Sequence, residues 1–147
     1  NKEAVGERLA RLALAKNYGK TVAWTAPVYA SHTVEDGKIR IHFDYADEGL
    51  VARPLPEVYD VRTSVGAVAP LTRNSPGSEL EGFAIRGEEG PWVWAQAKIE
   101  GETVVVWAPE VARPVAVRFA WANNPTFNLY SRAGLPVAPF RTDAPRP

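Results

Sequence analysis

The sequence predicts a mainly β protein, an antiparallel β-sandwich of jelly-roll-like kind preceded by one N-terminal α-helix. Helical periodicity is confined to the opening residues. Beyond them come short runs of period two, roughly 8 to 20 residues apart and separated by turn-forming residues. No second helical pattern follows that could cover a parallel sheet.

Between residues 5 and 18, Val5, Leu9, Leu12, Ala13 and Ala15 recur at three- and four-residue spacing, with Glu3, Glu7, Arg8 and Arg11 largely on the other side. Glu3 near the start and Lys16 near the end complement the helix dipole, Glu7 and Arg11 form an i,i+4 pair, and Gly19 suits the C′ position. Gly6 costs up to about 1 kcal/mol relative to Ala. Such a helix does not belong naturally to a sandwich, so it is expected to pack on a separate body or to cap a sheet edge.

After Lys20 the period becomes two. Thr21 to Trp24 leads through Pro27 to Val28 and Tyr29, and Glu35, Asp36 and Gly37 supply a turn. In the run 38–45, Ile39, Ile41, Phe43 and Tyr45 share one face, and Arg40, His42 and Asp44 the other. Residues 53–78, with Pro54, Pro56, Pro70 and Pro76, read as an excursion carrying one edge strand or none. Strands are expected at 80–85, 92–99, 103–107 and 115–121, with a turn at 87–90 and a hairpin at Gly101. The closing stretch 122–141 carries Leu129, Tyr130, Leu135 and Phe140, and reads as ordered coil packed on a surface.

With 147 residues and 46% hydrophobic content, the chain suits one domain with one core. Its 17 basic and 17 acidic side chains cancel, so no global field draws nucleic acid or an anionic membrane, and neither is an expected partner. The lack of Cys removes disulfides, thiolate nucleophiles and thiolate metal sites. No apolar run approaches the roughly 20 residues that span a bilayer, and the opening has no signal-peptide layout. A chain that opens at Asn1 directly before a helix reads as cut from something longer.

Ser31, Ser64, Ser75, Ser78 and Ser131 lie in no nucleophile-elbow pattern, and His32 and His42 read as surface histidines. His42, Asp44 and Asp47 are a thin basis for a metal site, and neither a metal nor a cofactor is expected. Glu88 and Glu89 fall in a turn, where carboxylates serve solvation. Five tryptophans, at 24, 92, 94, 107 and 121, leave a carbohydrate-binding module as an alternative function, with Trp92 and Trp94 on one strand face. Arg118 and Arg141 flank an aromatic segment, which suits interface anchors.

Several blocks carry a family resemblance: Asn1-Lys2 with Val5-Gly6-Glu7-Arg8-Leu9-Ala10, Tyr18-Gly19-Lys20, Pro27-Val28-Tyr29, and Phe43-Asp44-Tyr45-Ala46-Asp47-Glu48-Gly49-Leu50. They continue with Gly82-Phe83-Ala84-Ile85, Trp94-Ala95-Gln96-Ala97-Lys98-Ile99 and Val117-Arg118-Phe119-Ala120-Trp121. Last come Asn128-Leu129-Tyr130, Gly134-Leu135-Pro136 and Pro139-Phe140-Arg141-Thr142. In this order the chain resembles the C-terminal part of the sialate O-acetylesterase family, SGNH-type carbohydrate esterases.

The resemblance implies that residues 1–20 are the last helix of a catalytic domain, 21–143 a C-terminal sandwich and 144–147 a frayed tail. The nucleophilic Ser would lie far upstream and the catalytic Asp and His just before Asn1, so no catalytic residue is expected in this chain, which alone would be inactive. The 53–78 stretch departs from the family pattern. The implied partner is the catalytic portion of the same esterase, as the same or a separate chain, through which the segment would meet an acetylated glycan such as sialic acid or plant polysaccharide. A periplasmic or extracellular location is implied. Arg118, Trp121, Tyr130 and Arg141 are then the candidates for an interdomain seam.

Overall fold

The computed structural model describes residues 2–46, 48–60, 68–71, 73–123 and 125–143. Among these residues one helix, α1 (Lys2–Lys16), precedes twelve strands: β1 (Val28–Glu35), β2 (Lys38–Asp44), β3 (Leu50–Ala52), β4 (Val58–Asp60), β5 (Val68–Pro70), β6 (Phe83–Gly87), β7 (Val93–Trp94), β8 (Gln96–Glu100), β9 (Thr103–Trp107), β10 (Pro114–Phe119), β11 (Leu129–Ser131) and β12 (Phe140–Arg141). Two four-stranded antiparallel sheets, in the orders β1-β2-β9-β8 and β12-β10-β6-β7, form a β-sandwich. Two-stranded pairs β11-β3 and β4-β5 accompany them.

The core lies where the apolar faces meet. Ile39, Ile41, Val104 and Val106 from the first sheet and Phe83, Ile85, Val117 and Phe119 from the second are fully buried in one cluster. Its centre is aromatic: the Phe83 and Phe119 rings are 4.6 Å apart, and Phe140 stands 5.7 Å from Phe119 and 5.1 Å from Tyr29. Val105, on the outer side of β9, is also buried because the register sets it between Arg40 and Lys98, whose long stems can cover apolar surface. Arg40 is held in place there by Glu35 and Glu100 at 3.1 and 3.0 Å.

The β1–β2 hairpin closes at Asp36 and Gly37, both at positive φ (47° and 75°), which is the pair of left-handed residues a two-residue primed turn requires. Gly82 is a different case. At φ +96° its backbone passes so close to Phe127 and Thr126 that a Cβ would sit 2.9 Å from each, so this approach excludes any side chain.

Five expectations need correction. The single strand at 92–99 is broken: β7 belongs to one sheet and β8 to the other, with fully buried Ala95 at the crossing and its amide bonded to Phe83 O. Period-two patterning cannot reveal such a crossing, because the alternation continues through it. Tyr45 leaves the buried face of β2: the backbone turns to φ 62° and the ring is 55% exposed. The strand expected at 80–85 runs Phe83–Gly87 instead, since positive-φ Gly82 delays its start. Among its described residues the 53–78 stretch holds two strands, β4 and β5, paired with each other, and the closing coil contains β11 and β12. Strands of two or three residues are too short to show a period. The 144–147 tail, Asp47 and Ser64 lie outside the described residues.

Candidate functional site

Helix α1 forms as its periodicity requires and ends at positive-φ Gly19, with the Lys20 amide bonded back to Leu14 O at 2.9 Å. It buries no residue. Half-buried Ala4, Arg11 and Ala15 lie along one side, and Arg11 reaches across to donate to Ala133 O at 2.9 Å. The apolar stripe faces outward: Val5, Leu9 and Leu12 are exposed, Leu9 by 62%. At the helix end the Lys16 ammonium sits 3.9 Å above the Trp24 ring.

A second surface lies on the outer face of the β12-β10-β6-β7 sheet. The register sets Arg141, Arg118, Ala84 and Trp94 in one row, one residue per strand, so their side chains share a face. Arg118 grips Asp143 with a two-pronged fork, Nη2 to Oδ2 at 2.7 Å and Nε to Oδ1 at 3.3 Å. Arg141 grips the same carboxylate, at 2.9 and 3.1 Å. The Arg118 guanidinium lies 4.2 Å from the Trp92 ring centre, Arg86 lies 5.3 Å from that ring, and Arg141 lies 5.5 Å from Trp121. Trp94 and Trp121 are 50% and 53% exposed. Two bidentate pairs on one carboxylate and the stacking on rings fix both arginines in orientation.

Hydrogen bonds from Arg118, aided by Arg141, hold the Asp143 carboxyl well below its ordinary value, down to about 2. Its side chain is only 10% exposed. Because the folded value is depressed, the contribution to stability is present above the ordinary value of 3.8 and is lost as pH falls toward 2. It amounts to on the order of 1 kcal/mol once solvent screening is taken into account. In Asp143→Asn the melting-temperature deficit relative to the parent should therefore be largest above pH 4 and shrink toward pH 2. A deficit that does not change with pH would rule the linkage out.

Of the four seam candidates, the structure brings Arg118, Trp121 and Arg141 together and sets Tyr130 elsewhere. Tyr130 lies on β11, its ring under the Arg53 guanidinium at 4.5 Å and stacked with Phe127 at 5.9 Å. It lines a pocket of 430 Å³ together with Glu7, Arg8 and Arg11 of α1. Asp143, the acid that joins the two arginines, was missed by sequence reasoning. The available signal was its i+2 spacing from Arg141 in an extended segment, which points both side chains the same way.

The other candidates are dispersed. Ser78 Oγ bridges the Ala97 backbone, accepting from its amide at 2.9 Å and donating to its carbonyl at 3.2 Å, and Ser131 Oγ accepts from the Leu135 amide. His32 Nδ1 is 2.7 Å from the Tyr29 hydroxyl. Glu88 and Glu89 line a groove with Glu110 and Arg113. Among the described residues no group of three His, Asp or Glu converges as metal ligands.

No protein-family model and no curated protein matches the chain. Among solved structures it is similar to a novel carbohydrate acetylesterase from Xanthomonas citri, with 35% sequence identity over 97% of this chain and a TM-score of 0.74. The chain spans 28% of that protein's length. The likeness read from the sequence thus extends to a carbohydrate esterase, and what this chain matches is a minor part of it.

Proposed function

We propose that this chain is a noncatalytic part of a carbohydrate O-acetylesterase and braces its catalytic portion. The observation that carries this reading is the match of almost the whole chain, at 35% identity, to 28% of an acetylesterase. The finer reading is an SGNH-type enzyme of the sialate O-acetylesterase kind, acting outside the cytoplasm on acetylated sialic acid or plant polysaccharide.

The outward stripe of α1 supports bracing. An exposed row of Val5, Leu9 and Leu12 is the kind of surface a helix buries against a partner, and Tyr130 with Arg53 lies on the same side of the sandwich as that helix's Arg8 and Arg11. In the whole enzyme, ester hydrolysis would proceed by Ser attack on the acetyl carbonyl, with His as base and then acid, Asp orienting it and an oxyanion hole holding the tetrahedral intermediate. Those groups would come from the catalytic portion.

The test is acetate release from an acetylated glycan by the catalytic portion with and without this chain. Activity should depend on both, and Leu9→Ser with Leu12→Ser should weaken their association at least tenfold while leaving the melting temperature of this chain nearly unchanged. Acetate release by this chain alone, or unaltered association of the double variant, would reject the proposal.

A further inference from the structure

We propose that the outer face of the β12-β10-β6-β7 sheet is a binding platform for an acidic glycan, a polysaccharide bearing carboxylates such as uronates. The choice of a glycan rests on the acetylesterase reading, but the platform is distinct from the helix face assigned to the catalytic portion.

Its layout suits an extended sugar chain. The row from Arg141 through Arg118 and Ala84 to Trp94 crosses three interstrand gaps, about 14 Å, longer than one sugar ring. Half-exposed indoles stand toward both ends, Trp94 on edge strand β7 and Trp121 beside Arg141, while Ala84 keeps the middle low. Indole faces offer flat apolar area to the C–H faces of sugars at small entropic cost, because each has only two side-chain torsions. Guanidiniums between them offer donors to hydroxyl and carboxylate oxygens.

Charge selects the acidic class. Arg118 and Arg141 share a single carboxylate, that of Asp143, while Arg86 joins Arg118 at the Trp92 ring. Arg86 forms no ion pair among the described residues, and its Nε is buried without an acceptor. The Asp143 forks hold Arg118 and Arg141 in place before any ligand arrives, so little side-chain freedom is lost on binding.

Affinity electrophoresis and calorimetry on the full chain, with glucuronoxylan as the acidic probe and xyloglucan as the neutral one, decide the matter. Glucuronoxylan should bind, weaken several-fold between low and physiological salt, and lose at least tenfold in affinity in Trp94→Ala and in Arg86→Gln. Both positions are partly exposed on edge or outer surfaces, and circular dichroism checks that each variant is folded. Leu9→Ser should bind the glycan like the parent, whatever its effect on association with the catalytic portion, so the two proposals fail separately. No retention by glucuronoxylan, equal retention by xyloglucan, or unchanged binding by Trp94→Ala would overturn the platform. So would a Trp121→Ala variant that loses association with the catalytic portion but keeps its glycan affinity, which would make this face the protein seam.

Discussion

Replacing Glu81 with Ala should lower the unfolding free energy by about 2–4 kcal/mol, read as a shift of the urea midpoint without a change of slope. Glu81 is fully buried, yet it carries a carboxylate. One oxygen accepts from Arg73 Nε at 2.9 Å, and the other accepts from the backbone amides of Asn74 and Ser75, both at 3.1 Å. Its own amide donates to Asn128 Oδ1 at 2.8 Å, and Asn128 Nδ2 donates to Glu79 O. The side chain thus stands in for a strand where the 73–78 loop has none. Truncation leaves two amides without their acceptor, one of them in buried Ser75, whereas the released Arg73 is partly exposed and can turn to water. That last fact keeps the expected loss below that of a fully buried ion pair. Glu81→Gln, which keeps one carbonyl acceptor, should recover part of it. A midpoint unchanged in Glu81→Ala would refute the role.

Phe119→Ala should cost still more, about 3–5 kcal/mol. Its ring contacts Phe83, Phe127 and Phe140 at 4.6, 5.7 and 5.7 Å, so it touches three elements at once: β6, the loop before β11, and β12. Removing it opens a cavity that rigid backbone on two sheets cannot close. A loss under 1 kcal/mol by chemical denaturation would mean that the site collapses freely, contrary to its packing.

Much of the fold was legible in the sequence wherever physics is local. The Asp36-Gly37 turn, the Ile39 and Ile41 face and the helix with its Gly19 cap follow from turn chemistry and period alone. Legibility failed where the determinant was distant. Ala95 crosses between sheets because of what lies on both sides of it, and β12 exists only through its pairing with Arg118 and Phe119. The candidate surface was half legible. Arg118, Trp121 and Arg141 were grouped by their nearness to aromatic residues, and they do meet in space, but the residue that unites the two arginines is Asp143. Tyr130 groups with them only if residues 122–141 form one packed stretch, whereas that stretch pairs first with β3 and only later with β10.

The crossing at Ala95 also bears on how the molecule opens. Because β7 and β8 are separated by one buried residue whose amide is tied to Phe83, neither sheet can loosen its edge without dragging on the other. The two layers are therefore a single cooperative unit rather than two foldons. Amide protection in β6 and in β9 should be lost through the same opening event, with the same free energy and the same response to denaturant.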